Sequence, residues 1–313
     1  MPLSTFSSEE RVLKRSYFRP IVGTLAMLVF LLVGLEAATR FGFKRISHVE
    51  ARTSTDYLAA LATRQGGPSH PTILLLGNSL LLDGIDYDGL RRAMELRAKP
   101  VRFVIESTAY LDWYYGIKRL LSDGARPDRV VLCLNLPQLL GNGIRGEYSA
   151  FYLIRTQDLA SAGREAGLDL TGISGLFFAR YSMFYAGRNN FRNFALDTVD
   201  PAYRNILHGF TVVPGRDFSD AEVLAGAAPR LKKLRTLCSQ YNVDFDFLLP
   251  PGSGHGSQGL IEAGRRTGTS VLVPVPQNSW SVGWFQKDNY HLNHDGAAQF
   301  TGLLASSLLQ LRR

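Results

Sequence analysis

The sequence predicts an α/β protein: a parallel sheet of about five strands covered by helices, preceded by one transmembrane helix. Three observations lead there. Five short apolar runs, each bounded by turn residues, have the length of strands buried on both faces. Segments of helical periodicity separate them, the rhythm of a parallel sheet joined by crossover helices. Ahead of them stands one apolar run too long for a strand and framed by basic residues.

In chain order, the first element is that run, Ile21 to Ala38, 18 residues with a single charge at Glu36. At about 1.5 Å per residue it roughly spans a bilayer core. Arg11, Lys14, Arg15 and Arg19 precede it, and Arg40, Lys44 and Arg45 follow. The bias favours a cytoplasmic N-terminal tail, residues 1–20, and a body on the extracytoplasmic side. The run is long for a cleaved signal peptide and no clean small-residue cleavage site follows, so an uncleaved anchor is expected. Residues 39–68 read as a stalk ended by Gly66-Gly67-Pro68. Residues 69–313 read as one domain. Its strands are expected at Thr72–Leu76, Val101–Ile105, Val130–Leu134, Phe245–Leu249 and Ser270–Val273. Its helices are expected at Tyr87–Leu96, Asp112–Leu121, Pro229–Tyr241, Gln258–Thr267 and Asp295–Leu311. Residues 141–228 break the rhythm with aromatic, helical segments and no core strand. Such an insertion covers a site, or packs against a neighbour or the membrane.

Composition narrows the function classes. Of 313 residues, 45% are hydrophobic and 20% charged, which is globular usage. Half of the formal charge of +8 falls in residues 1–45, where seven Lys/Arg face three acids. The remainder carries no basic stripe with interleaved aromatics, so nucleic acid is not an expected partner. Two cysteines, Cys133 and Cys238, exclude a disulfide framework and a Cys-rich zinc site, and both read as small core residues.

Two clusters can carry chemistry. Gly77-Asn78-Ser79 follows the first strand, and ligands of open α/β sheets bind beyond the carboxyl ends of strands. Gly77 permits a tight turn, Ser79 can act as a nucleophile, and backbone N–H groups at the start of the next segment can receive an oxyanion. Turn chemistry alone also explains the tripeptide. The second cluster, Asp288-Asn289-Tyr290-His291, precedes the last helix. A serine hydroxyl needs a base, and an imidazole needs a carboxylate to fix its tautomer, so Asp288 and His291 suit those roles. The rival reading is a polar helix start in which Asn293 or Asp295 caps the helix. A zinc site at His291 and His294 lacks diagnostic spacing, so no metal or organic cofactor is expected. Arg145, Glu147, Tyr148 and Arg155 read as salt-bridging residues or pocket lining. Trp280 and Trp284 read as glycan-stacking or packing residues.

Together, a Gly-x-Ser after the first strand, an Asp-x-x-His before the last helix and the strand candidates between them resemble the SGNH (GDSL-like) hydrolases over residues 69–313. The resemblance implies a three-layer α/β/α sandwich of flavodoxin-like kind. It also implies Ser79 as nucleophile, His291 as base and then acid, and Asp288 as the orienting carboxylate. The family's Gly-Asp-Ser is Gly77-Asn78-Ser79 here. Its glycine-bearing second block corresponds to Glu106-Ser107-Thr108-Ala109, so Asn78 and the Ser107–Thr108 turn are candidate oxyanion or substrate groups. Its Gly-x-Asn-Asp third block is replaced by Asn135-Leu136-Pro137-Gln138, and either Asn135 or Gln138 supplies the missing amide.

The expected function is serine-dependent acyl transfer, either ester hydrolysis or O-acyl transfer, through an acyl-serine intermediate. By resemblance, membrane-anchored members with divergent second and third blocks act on envelope glycans. Expected partners are the bilayer through the N-terminal helix, an acyl ester or glycan substrate, and envelope polysaccharide assembly proteins. The alternative is a catalytically impaired, membrane-tethered binding or assembly protein of an envelope polysaccharide system.

Overall fold

The computed structural model describes residues 9–199, 217–252, 255–276 and 279–311. The first eight residues of the expected tail and residues 200–216 of the expected insertion lie outside them. Five strands, β1 (Thr72–Gly77), β2 (Lys99–Val104), β3 (Arg129–Cys133), β4 (Asp244–Leu248) and β5 (Ser270–Leu272), form one sheet in the order β2-β1-β3-β4-β5. Every pairing is parallel. The chain leaves β1 to one side for β2 and returns to the other side for β3, which opens a crevice at the carboxyl ends of β1 and β3.

Alternation along the strands builds the layers. Leu74 and Leu76 of β1 join Phe103, Leu132 and Phe247 in one core, beneath helices that include Tyr110–Ser122 and Asp220–Ser239. Ile73 and Leu75 join Val131, Cys133 and Leu248 in the other, beneath helices Tyr87–Met94 and His294–Gln310. Both faces of each central strand are thus dry, which is why these strands read as continuous apolar runs. Cys133 and Cys238 are free and buried.

Among the described residues one helix is long and apolar enough to cross a membrane. The helix Glu9–Ile46 contains a 25-residue stretch, Arg19–Phe43, of mean hydropathy 2.3 with none of its most apolar window buried. Glu36 has a specific use. Its carboxylate accepts hydrogen bonds from the Ser182 hydroxyl (2.8 Å) and the backbone N–H groups of Met183 (2.8 Å) and Phe184 (3.1 Å), capping the helix Met183–Val199.

Two expectations need correction. Residues 39–68 do not form a free stalk. Helix His48–Leu61 lies on the sheet beside β2, with Glu50, Thr53 and Ala60 buried and the Tyr57 ring edge-on to Phe103 at 5.7 Å. Its buried face is polar in sequence because Glu50 accepts hydrogen bonds from the hydroxyls of Tyr148 (2.7 Å) and Tyr152 inside the fold. The helix expected at Pro229–Tyr241 also begins earlier, at Asp220, with Ser219 and Glu222 forming a capping box and Pro229 inside the helix. The described part of the insertion packs against this N-terminal region through Glu36 and Glu50.

Candidate functional site

Strand β1 ends at Gly77, where space is the constraint. A Cβ there would lie 2.8 Å from the Cys133 carbonyl oxygen and 3.0 Å from the Leu81 Cβ. Gly77→Ala is therefore expected to move the turn that carries Ser79, lowering activity by about 10²-fold for a stability cost of about 1–3 kcal/mol. Steady-state kinetics beside thermal melts check this.

Asn78 is fully buried. Its side-chain oxygen accepts from the Leu80 N–H (3.0 Å) and its amide donates to the Thr108 carbonyl (2.9 Å), tying the turn after β1 to the turn after β2. A carboxylate at this position has no proton for the Thr108 carbonyl, so the amide suits this interior better than the aspartate of the SGNH pattern.

Asp288 and His291 sit in a narrow loop closed by an antiparallel bridge between Phe285 and Leu292 and by the Gln286 N–H to the His291 carbonyl (2.8 Å). Asn289 takes a left-handed conformation (φ 53°), which asparagine tolerates well. One oxygen of Asp288 accepts the N–H groups of Tyr290 (3.0 Å) and His291 (3.1 Å). The other lies 2.7 Å from His291 Nδ1. The three-residue spacing thus lets one carboxylate hold both the turn and the ring. His291 Nε2 lies 2.9 Å from Ser79 Oγ, across 212 positions of sequence. Partial burial opposes ionisation of Asp288, but the hydrogen bonds from His291 and the two backbone N–H groups outweigh it and hold the carboxyl below its ordinary value. The chain Ser79–His291–Asp288 has the connectivity in which an imidazole takes a hydroxyl proton while a carboxylate stabilises the resulting imidazolium. Asn293 caps the last helix, accepting the Gly296 N–H at 3.0 Å, so the capping reading and the Ser79–His291–Asp288 geometry coexist.

The oxyanion candidates divide. Ser107 takes φ 59°, a left-handed conformation that glycine adopts freely, at a cost of about 1–2 kcal/mol. The Thr108 hydroxyl donates to the Ile105 carbonyl (2.6 Å) and accepts from Trp113 Nε1 (2.9 Å), so it braces the turn. The Ala109 N–H is taken by Asp112 (2.8 Å), a carboxyl that burial raises to about 6. Asn135 and Gln138 form a capping box, and both amides donate to the Tyr290 hydroxyl, at 2.9 and 3.1 Å. Both candidate amides thus meet Tyr290, whose only signal in the sequence is its place beside His291. Tyr290→Phe is expected to strand both amides and to destabilise the fold by about 1–3 kcal/mol, read as a fall in Tm.

Asp83, which no motif in the sequence marks, is half-buried. Burial holds its carboxyl above the ordinary value, with His291 pulling the other way. It lines a cleft of about 560 Å³ together with Ile85, Tyr87, Gln286, Leu292 and His294. Among the described residues no cluster of three or more His, Cys, Asp or Glu could hold a metal ion. Trp280 packs on Trp284 (5.4 Å) and Phe300 (6.0 Å), half-buried against the core beneath the last helix. Arg145 donates to the Glu106 carbonyl (2.5 Å), Glu147 pairs with Arg188 (2.6 Å) and Arg155 lies 3.9 Å from Asp123, all ties within the fold.

No family model and no curated protein matches the sequence. Among solved structures, the chain is similar to the psychrotrophic esterase EstA from Pseudoalteromonas sp., in a structure inhibited by monoethylphosphonate. The identity is 12%, covering 77% of this chain and 98% of that one, with a TM-score of 0.41. It is similar to TesA at 12% identity, covering 77% of this chain and 99% of that one, with a TM-score of 0.41.

Proposed function

We propose that the protein is a membrane-anchored, SGNH-like serine enzyme of acyl transfer. The observation that carries this reading is the continuous contact from Ser79 Oγ through His291 to Asp288 at the carboxyl edge of a parallel sheet. Ser79 Oγ attacks an ester carbonyl as His291 Nε2 takes its proton. The oxyanion then collapses, the bond from acyl carbon to alkoxy oxygen breaks, and the leaving oxygen takes that proton. Water or an acceptor hydroxyl repeats the sequence in reverse and frees Ser79. The Ser107 and Thr108 N–H groups remain the turn's candidate oxyanion donors.

The expected membrane topology gives residues 1–20 as a cytoplasmic tail, 21–38 as the anchor and the rest as an extracytoplasmic body. An envelope glycan ester, or a glycan hydroxyl as acceptor, suits that placement, with envelope polysaccharide assembly proteins as companions. A second reading, a tethered binding or assembly protein, is favoured by one observation: the amides of Asn135 and Gln138 are both engaged by Tyr290. Hydrolysis of aryl acetates by the full chain in detergent separates the two. Turnover that requires Ser79 supports the enzyme, and a folded protein without turnover or acyl-serine supports the binding role.

A further inference from the structure

The path of the chain from the apolar helix into the sheet fixes which edge of the domain meets the membrane. The helix Glu9–Ile46 joins the helix His48–Leu61 through Ser47, whose N–H bonds the Phe43 carbonyl at 2.8 Å. One turn into the second helix, Arg52 donates to the carbonyl of Val104 (3.2 Å), the last residue of β2. Val104 is paired in register with Gly77, two residues before Ser79. At the other end of this helix the contacts are with the opposite edge. The Thr63 carbonyl accepts the Arg126 N–H (3.1 Å), and the Gly66 N–H reaches Asp128 (2.8 Å), immediately before β3. The helix therefore runs against the strands, and the apolar helix delivers the chain to the carboxyl edge, where Ser79 and His291 meet. From Glu36 to Ile46 is ten residues, about 15 Å of helix or less when tilted, while the headgroup layer beyond the hydrocarbon is itself about 5–8 Å deep.

Exposed apolar side chains surround this junction. Phe41 is 81% exposed, and the helix Leu170–Tyr181 exposes Leu170 (83%), Phe177 (49%), Phe178 (60%) and Tyr181 (54%). That helix is fixed beside the span, because Arg40 donates to the Tyr181 carbonyl at 2.8 Å and Glu36 caps the helix that follows. These rings thus stand at the level where the apolar span ends, continuous with it, and aromatic side chains at that level sit in the headgroup layer.

We infer that the catalytic edge is held against the bilayer and that Ser79 takes its acyl group from an ester carried by a membrane amphiphile. The inference rests on the acyl-transfer reading above. The bond from Ser79 Oγ to the acyl carbon forms as the ester carbon–oxygen bond breaks, and the amphiphile departs as an alcohol with the proton held by His291.

The test uses the full chain in lipid vesicles. A fluorophosphonate bearing an environment-sensitive fluorophore is attached to Ser79, and quenching by nitroxide-headgroup lipids is measured. A label on Leu96→Cys, an exposed site just before the amino end of β2, is the reference. In parallel, a fluorogenic ester lipid is supplied in the same vesicles or in separate ones, beside a soluble aryl acetate. The expected result is quenching at Ser79 several-fold greater than at Leu96→Cys, with same-vesicle ester turned over at least tenfold faster than separate-vesicle ester. Equal quenching at the two sites, or turnover of the soluble ester without the same-vesicle lipid, overturns the membrane-borne substrate while leaving acyl transfer standing. Absence of labelling and of turnover with every ester removes both.

Discussion

Ser79→Ala is expected to lower ester turnover by about 10⁶-fold with little change in Tm. The hydroxyl is half-buried at the end of β1, and its described hydrogen bond runs to His291 Nε2. Alanine therefore removes the attacking atom while leaving Gly77, the Asn78 tie to Thr108 and the packing of Leu80 and Leu81 in place. The residual rate reports what positioning and hydrogen bonding achieve without a nucleophile. Kinetics on an aryl ester, with circular dichroism as the folding control, measure both quantities. A fall of less than tenfold means that the chemistry does not pass through this oxygen.

Asp288→Asn is expected to lower kcat by about 10⁴-fold. The asparagine oxygen can still accept the Tyr290 and His291 N–H groups, so the loop survives. The side chain then presents its amide to His291 Nδ1, favouring the tautomer with the proton on Nε2, the atom that must accept from Ser79. No negative charge remains to stabilise an imidazolium. Because the wild-type carboxyl is held below its ordinary value, it stays ionised through neutral and mildly acidic pH. The defect of Asp288→Asn should accordingly persist across that whole range in pH–rate profiles.

Much of this architecture was legible because its signals are local. All five strands fall within two residues of the apolar runs that announced them, and β1 and β3, dry on both faces, leave no polar alternation to misread. Helix His48–Leu61 was illegible for the opposite reason. Its buried face carries Glu50, Thr53 and Ser54, and the Tyr148 and Tyr152 hydroxyls, about a hundred positions away, help make Glu50 tolerable inside. Ser219 and Glu222 mark the start of the helix at Asp220, whereas Pro229, a residue type that favours a first helical turn, lies inside it.

At the site, the proximity of Ser79, His291 and Asp288 follows from their places after β1 and before the last helix, because parallel topology gathers such turns at one edge. The contacts of Asn135 and Gln138 could not be read in the same way. An amide shows its type in sequence but not its acceptor, and here that acceptor is the Tyr290 hydroxyl. Glu36 similarly read as a lone charge ending an apolar run, and its purpose became visible only beside Ser182 and Met183.

The most direct measurement is covalent labelling of the full chain in detergent with a fluorophosphonate, followed by mass spectrometry of the modified peptide. Wild type, Ser79→Ala, His291→Ala and Asp288→Asn are compared at equal folded content. A serine activated by His291 and Asp288 predicts a single adduct on Ser79 that is absent in Ser79→Ala and formed far more slowly in the other two. A folded wild type that forms no adduct, or one labelled equally well without His291, would contradict it.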